Sequence, residues 1–68
     1  MYDFKIIVVD AKVKSNSFEE LTKVMEYLLD NNFKFTFLDN INFYNYLVTS
    51  EDDYQELREM YAANSKRL

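Results

Sequence analysis

The sequence predicts one α+β domain over residues 1–68, with the element order β-α-β-β-α. Three patterns support this fold class. A run of β-branched aliphatic residues near the N-terminus is flanked by charged residues, as in a strand. Two later segments place a Ser cap before apolar residues that recur every three or four positions, as in amphipathic helices. Between them, aromatic residues alternate on both sides of an Asp- and Asn-rich turn, as in a β-hairpin.

The first strand is predicted over residues 2–13, and the first helix should begin at Ser17. Ser17 and Glu20 have the spacing of a capping box, in which the hydroxyl accepts a first-turn amide and the carboxylate reaches back to the cap. The helix should end at Asn31 and Asn32, because asparagine is the best substitute for glycine in the left-handed position after a helix. Its apolar stripe consists of Phe18, Leu21, Val24, Met25, Leu28 and Leu29.

The hairpin uses residues 33–38 and 43–49 as strands and residues 39–42 as the turn. Its first strand has a strongly aromatic face, formed by Phe33, Phe35 and Phe37. Ser50 and Asp53 repeat the capping spacing and begin the last helix. The apolar stripe of this helix consists of Tyr54, Leu57 and Tyr61.

A right-handed crossover followed by a hairpin gives a three-stranded sheet, most simply in the order 1-3-2, with both helices on one face. This topology resembles a ferredoxin-like half-fold that lacks its last strand. The resemblance concerns topology alone and implies no function.

Cysteine, histidine and glycine are absent, and their absence limits the reactions and ligands that are possible for this chain. Without cysteine or histidine, the chain has no thiolate nucleophile, no imidazole base and no sulfur or imidazole metal ligand. Without glycine, neither a P-loop nor a dinucleotide-binding fingerprint can form. We therefore expect a protein that is not an enzyme and needs no cofactor. The sequence has no cysteine for a disulfide, no export signal and no apolar segment long enough to cross a membrane. We therefore expect a cytoplasmic protein that is not inserted in a membrane.

The net charge of −4 argues against direct nucleic-acid binding, which depends on Lys and Arg neutralising phosphates. The tyrosines are numerous enough for a base-stacking sheet, but the charge around them has the wrong sign. Lys5, Lys12 and Lys14 form the one basic stretch of note, and we interpret it as a solvated strand edge.

Two helices cover one side of a small sheet, yet the predicted strands are apolar on both sides. The open face should carry Ile7, Val9 and Leu38 with either the Tyr44, Tyr46 and Val48 set or the Phe43 and Leu47 set. Tyrosine is enriched at interfaces, which favours the first set. The predicted first strand would also be a sheet edge. A homodimer formed by edge pairing or by face stacking is therefore expected, and strand addition to a foreign sheet is the rival. The alternative is that these are ordinary half-buried sheet residues, which a protein surface tolerates singly and which form no interface.

The last helix carries an acidic ridge, formed by Asp52, Glu56 and Glu59 on the side opposite its apolar stripe. Such a ridge can mimic phosphates and occupy the basic site of a partner, although a solvated helix face gives the same pattern. No metal site is expected, because neighbouring acids in one exposed turn do not converge. Asp39, Asn40 and Asn42 should serve the backbone of their turn.

The sequence thus predicts a non-enzymatic protein-interaction module. Its size, acidity and AT-rich residue usage favour a small acidic inhibitor of a larger nucleic-acid-handling protein, of the viral anti-defence or anti-CRISPR kind. An oligomeric small-ligand-binding or adaptor domain is the alternative. The predicted partner-binding residues are Ile7, Val9, Tyr44, Tyr46, Asp52, Glu56 and Glu59.

Overall fold

Two pairs of strands, each followed by a helix, make up the chain. The computed structural model describes residues 2–66, and the side chains of residues 2–61. In chain order the elements are β1 (Phe4–Val8), β2 (Ala11–Ser15), α1 (Phe18–Asp30), β3 (Phe35–Asp39), β4 (Tyr44–Val48) and α2 (Glu51–Lys66).

The segment predicted as one strand over residues 2–13 is a β-hairpin, so that prediction is wrong. β1 and β2 pair antiparallel with Val8 opposite Ala11, which leaves Val9 and Asp10 as the central residues of a two-residue turn. Val9 has a φ of 53°, the positive value that the first position of such a turn requires. Glycine or asparagine normally occupies this position, but here it is valine, so the sequence pattern does not predict the turn.

The added turn changes the topology of the whole sheet. The four strands are ordered β2-β1-β3-β4, and every neighbouring pair is antiparallel. The predicted three-stranded sheet of order 1-3-2, and the ferredoxin-like half-fold with it, is therefore wrong; the arrangement is β-β-α-β-β-α. Since the chain reverses at Val9, α1 departs from β2 and not from β1. β1 is consequently a central strand, and the two sheet edges are β2 and β4.

The start of α1 at Ser17 is confirmed, with a modified capping box. The Glu20 amide donates to Ser17 Oγ at 3.3 Å. The Glu20 carboxylate does not reach the cap amide directly; it accepts a hydrogen bond from Ser15 Oγ at 2.7 Å, and Ser15 Oγ accepts one from the Ser17 amide at 3.0 Å. The buried Ser15 hydroxyl thus ties the end of β2 to the first turn of α1.

The end of α1 at Asn31 and Asn32 is also confirmed. Asn32 has a φ of 64°, in the left-handed region. The Phe33 amide donates to Leu28 O at 2.9 Å, and the Asn32 amide donates to Leu29 O at 3.0 Å. These two bonds are the Schellman pattern, which satisfies carbonyls that the helix leaves free.

The core lies between the two helices and one face of the sheet. Its buried apolar members are Phe4, Ile6, Val8, Leu21, Met25, Leu28, Phe35, Phe37, Val48, Tyr54 and Leu57. The stripes predicted for both helices therefore face the core, as expected. Tyr54 also joins the helices, because its hydroxyl donates to Glu26 Oε2 at 2.7 Å and lies 3.2 Å from Thr22 O. Neither helix within residues 2–66 has the length and apolar content needed to cross a membrane.

The other face of the sheet is more polar than the sequence suggests. The strand registers align Lys14, Lys5, Leu38 and Asn45 in one row, and Lys12, Ile7, Thr36 and Leu47 in the next. Lysine occupies three of these positions, and no acidic residue stands among them. We call this surface the outer face.

Candidate partner-binding groove

An open depression of about 270 Å³ lies between the edge strand β4 and α2. Two tyrosines of β4 form one wall, and three residues of α2 form the other. It is lined by Tyr44, Tyr46, Glu56, Glu59 and Met60. We call it the β4–α2 groove.

The tyrosines reach the groove because of the alternation of β4. Successive side chains of a strand point to opposite faces, so Tyr44 and Tyr46 share the helix-covered side with the fully buried Val48. Unlike Val48, the two tyrosines are only half-buried. Their rings stack nearly parallel, with centroids 6.1 Å apart and 14° between the planes. The groove therefore has a continuous aromatic wall.

The position of α2 is fixed at its start. The Asp53 amide donates to Ser50 Oγ at 3.3 Å, and Asp53 Oδ2 accepts from the Thr49 amide at 3.0 Å and from Thr49 Oγ1 at 2.9 Å. The hydrogen bonds from Thr49 lower the pKa of Asp53, because they stabilise its charged form. The helix is thus tied to the residue that follows β4.

The rotation of α2 is fixed by its buried side. Tyr54 and Leu57 are almost completely buried in the core. Because each helical residue advances about 100°, Met60 lies beside this buried stripe, Glu56 and Glu59 lie further towards solvent, and all three line the groove. Met60 is 39% exposed and contributes an apolar surface to the groove.

One hydrogen bond links the two walls. The Tyr46 hydroxyl donates to Glu56 Oε2 at 3.1 Å. Removal from water raises the pKa of the Tyr46 hydroxyl, and the hydrogen bond to Glu56 and the charges of Glu56 and Asp53 raise it further. Tyr46 therefore remains a neutral donor at physiological pH and holds the Glu56 carboxylate beside the stacked rings.

The structure brings four of the seven predicted partner-binding residues together, namely Tyr44, Tyr46, Glu56 and Glu59. Asp52 is exposed one turn before Glu56 and extends the acidic side of the helix. The other two predicted residues lie elsewhere. Ile7 is half-buried on the outer face, and Val9 is 77% exposed in the β1–β2 turn.

The expectation that Tyr44 and Tyr46 line the open face of the sheet is wrong. They lie on the helix side of the sheet. Leu47, from the alternative set of Phe43 and Leu47, lies on the outer face and is 60% exposed. Phe43 is 92% exposed and belongs to the β3–β4 turn, with a φ of 55°. The two tyrosines and two of the three residues of the acidic ridge, predicted on separate surfaces, therefore line one groove.

Sequence reasoning missed Met60, although its spacing of four from Glu56 places both on one helix side. It also missed the burial of Asp39, which is 2% exposed. Asp39 Oδ1 accepts from the Ile41 and Asn42 amides at 2.9 and 3.1 Å. The turn role predicted for Asp39 is thus confirmed.

Asp39 is not available to a ligand. Besides the two amides, its carboxylate accepts hydrogen bonds from Asn42 Nδ2 at 2.9 Å and from the Tyr61 hydroxyl. Burial raises the pKa of Asp39, but the hydrogen bonds from Tyr61, Asn42 and Ile41 together lower it below its ordinary value. Across the part of the chain that the structure describes, no three acidic side chains are placed to hold a metal ion.

The groove combines two carboxylates, two stacked rings and a thioether at one open surface. Carboxylates attract a cation, and aromatic faces and methionine contact the apolar stem of a Lys or Arg side chain. Comparison with protein-family models, with curated proteins and with solved structures finds no match to this chain.

Proposed function

We propose that the chain is a protein-binding module that holds a basic segment of a partner in the β4–α2 groove. The observation that supports this proposal is the meeting of Glu56 and Glu59 with the stacked rings of Tyr44 and Tyr46. A cation over an aromatic face gains about 0.5–2 kcal/mol, depending on how far it is removed from water. Close carboxylates add charge complementarity and speed association.

The hydrogen bond between Tyr46 and Glu56 supports binding without large rearrangement. It orients one carboxylate before a partner arrives, so less side-chain freedom is lost on binding. The remaining lone pairs of Glu56 and the carboxylate of Glu59 are exposed to solvent and accessible to a Lys or Arg side chain.

The shape of the groove favours a protein segment over a metabolite. Small-molecule sites typically enclose about 300–1,000 Å³ and bury most of the ligand. The β4–α2 groove is smaller, at about 270 Å³, and open. The small-ligand alternative therefore has less support than protein binding.

The acidic side of α2 supports a finer proposal, that the partner is a nucleic-acid-handling protein and that the chain inhibits it. Asp52, Glu56 and Glu59 place three carboxylates along one helix side. A basic surface that neutralises phosphates also attracts such a row, so bound chain and nucleic acid would compete for it. An anti-defence role, of the anti-CRISPR kind, is one biological setting for such inhibition.

Charge-neutralising substitutions test the proposal. The double variant Glu56→Gln and Glu59→Gln keeps the shape of the groove and the acceptor for Tyr46, but removes both charges. We expect it to bind a lysine-containing peptide at least about tenfold more weakly in calorimetry. The control variant Glu19→Gln and Asp30→Asn removes the same charge from exposed positions of α1. Equal weakening by both variants would show a general charge effect and refute the groove.

A further inference from the structure

Resting on the proposed function, we propose that the partner segment binds as an added strand along β4, with Lys or Arg at alternate positions. The backbone of this segment would continue the sheet, and its basic side chains would enter the β4–α2 groove. Three features of the molecule support this mode of binding: the outward hydrogen-bonding groups of β4, the different side chains of the two sheet edges, and the alternation of side chains along a strand.

The backbone groups of two β4 residues point away from the sheet. The Asn40 amide donates to Asp3 O at 2.8 Å, so even-numbered residues at this end of β3 direct their backbone groups towards β1. Odd-numbered residues then face β4, and Phe37 and Tyr46 form a hydrogen-bonded pair. Asn45 and Leu47 must therefore direct their N–H and C=O groups outward. Within residues 2–66, no hydrogen bond from another element meets these groups.

The two edges of the sheet differ in a way that favours β4. Edge strands are commonly protected from pairing by charged residues, lysine above all. β2 has this protection, because Lys12 and Lys14 are exposed along it. β4 contains no charged residue and exposes Leu47. Of the two edges, β4 is therefore the one that accepts another strand.

Strand alternation then specifies the sequence of the bound segment. Residues directly opposite each other on paired strands share a face. The segment residues opposite Tyr44 and Tyr46 would point to the helix side, where Glu56 and Glu59 lie. These positions, two apart, select Lys or Arg. The residues between them would lie on the outer face beside Leu47, where β-branched apolar side chains fit best.

Backbone methylation tests this mode of binding. The probe is the capped heptapeptide Thr-Lys-Val-Lys-Val-Lys-Thr, measured by calorimetry. In an antiparallel pair, the valines opposite Asn45 and Leu47 donate their amides to β4, and the lysine amides point away. N-methylation of the valines should weaken binding at least about tenfold, whereas N-methylation of the lysines should change it by less than about threefold.

The outcomes separate this inference from the proposed function. Equal behaviour of the two methylated peptides, whether both bind or both fail, refutes the added strand. If Glu56→Gln and Glu59→Gln still weaken the unmodified peptide, the groove itself stands. A loss confined to the lysine-methylated peptide supports a parallel added strand. If the unmodified peptide does not bind at all, the proposed function and this inference both fail.

A second variant tests the protein side of the interface and the rival occupant. Asn45→Pro removes an outward-facing amide without removing a hydrogen bond to β3, and proline is tolerated on edge strands of this kind. It should abolish peptide binding and leave the circular dichroism spectrum unchanged. Light scattering of the unbound protein tests the homodimer. Suppose that the protein forms a dimer that Asn45→Pro dissociates and that the peptide does not displace. A second copy would then occupy β4, which would refute binding of a foreign strand.

Discussion

Asp39 is a buried carboxylate that accepts hydrogen bonds from four donors. Two backbone amides and Asn42 hold it within its own turn, whereas the Tyr61 hydroxyl comes from α2. The Tyr61 ring packs in turn against Phe4, Phe18 and Phe37, with centroid distances of 5.9, 4.5 and 5.3 Å. A single residue therefore joins the aromatic part of the core to a charged turn.

Replacing Tyr61 by Phe keeps the ring and removes the hydrogen bond to Asp39. Because hydrogen bonds to charged groups contribute about 1.5–3 kcal/mol, we expect urea unfolding to show a loss of that order. Tyr27→Phe is the control, since the Tyr27 side chain is 65% exposed.

Tyr61→Phe also tests how the free energy of unfolding depends on pH. Hydrogen bonds to its carboxylate hold the pKa of Asp39 below the ordinary value of 3.8, so the charged carboxylate stabilises the fold above that pH. This stabilisation is lost as the pH falls through the folded-state pKa. Without Tyr61 donating, stability should change less between about pH 5 and pH 2. An unchanged slope would contradict the role given to this bond.

At the scale of elements, the sequence pattern predicts both helices and the β3–β4 hairpin close to their observed bounds. It fails at the β1–β2 turn. Three described residues have positive φ, and asparagine, the residue type that announces this conformation, occupies one of them, Asn32. The other two, Val9 and Phe43, are residue types that normally avoid it. Because the chain has no glycine to mark the β1–β2 turn, the sequence pattern predicted a single strand at the edge of the sheet. In the structure, β1 lies at the centre.

Four of the five groove residues were predictable from the sequence, but the fact that they lie together was not. The acidic ridge follows from helical spacing alone. Which face of β4 the tyrosines occupy depends on which face the helices cover, and alternation leaves that choice open. The enrichment of tyrosine at protein interfaces led to the prediction that both tyrosines lie on the open face. That prediction is wrong, because the enrichment says nothing about which face of the sheet the helices cover.

Val9→Asn should stabilise the protein. A non-glycine residue in the left-handed region costs about 1–2 kcal/mol, and asparagine adopts this region more readily than a β-branched residue. The exposed Val9 side chain loses little packing on substitution. We expect the free energy of unfolding to rise by about 0.5–1 kcal/mol. Val13→Asn, in the same hairpin but half-buried, should lower it. Peptide binding should be unaffected by Val9→Asn, since Val9 lies outside the groove; a lower stability would contradict the turn geometry.

The two sides of the molecule differ in the charges that they carry. Lys5, Lys12 and Lys14 stand on the outer face, whose strand positions hold no acid, although the chain has 12 acidic and 8 basic residues. The carboxylates of α2 border the β4–α2 groove on the helix side. A basic partner is thus attracted to one side of the molecule and repelled from the other, which orients it before contact.

Neutralising the outer face should therefore change the rate of association and leave dissociation alone. Replacing Lys5, Lys12 and Lys14 by Gln takes the net charge from −4 to −7, because three positive charges are lost. In stopped-flow measurements with the lysine peptide at low salt, we expect association to accelerate several-fold. The gain should vanish at about 1 M salt, where the Debye length is about 3 Å. A changed dissociation rate would instead place these lysines in contact with the peptide.

The uncharged border that β4 leaves on the sheet also bears on how the free protein behaves when it is abundant. None of its side chains carries a charge that would prevent two copies from pairing along it, and the paired fraction would rise with protein concentration. Such pairing stops at two copies, because the lysines of β2 protect the opposite edge. An excess of target peptide should therefore keep concentrated stocks monomeric.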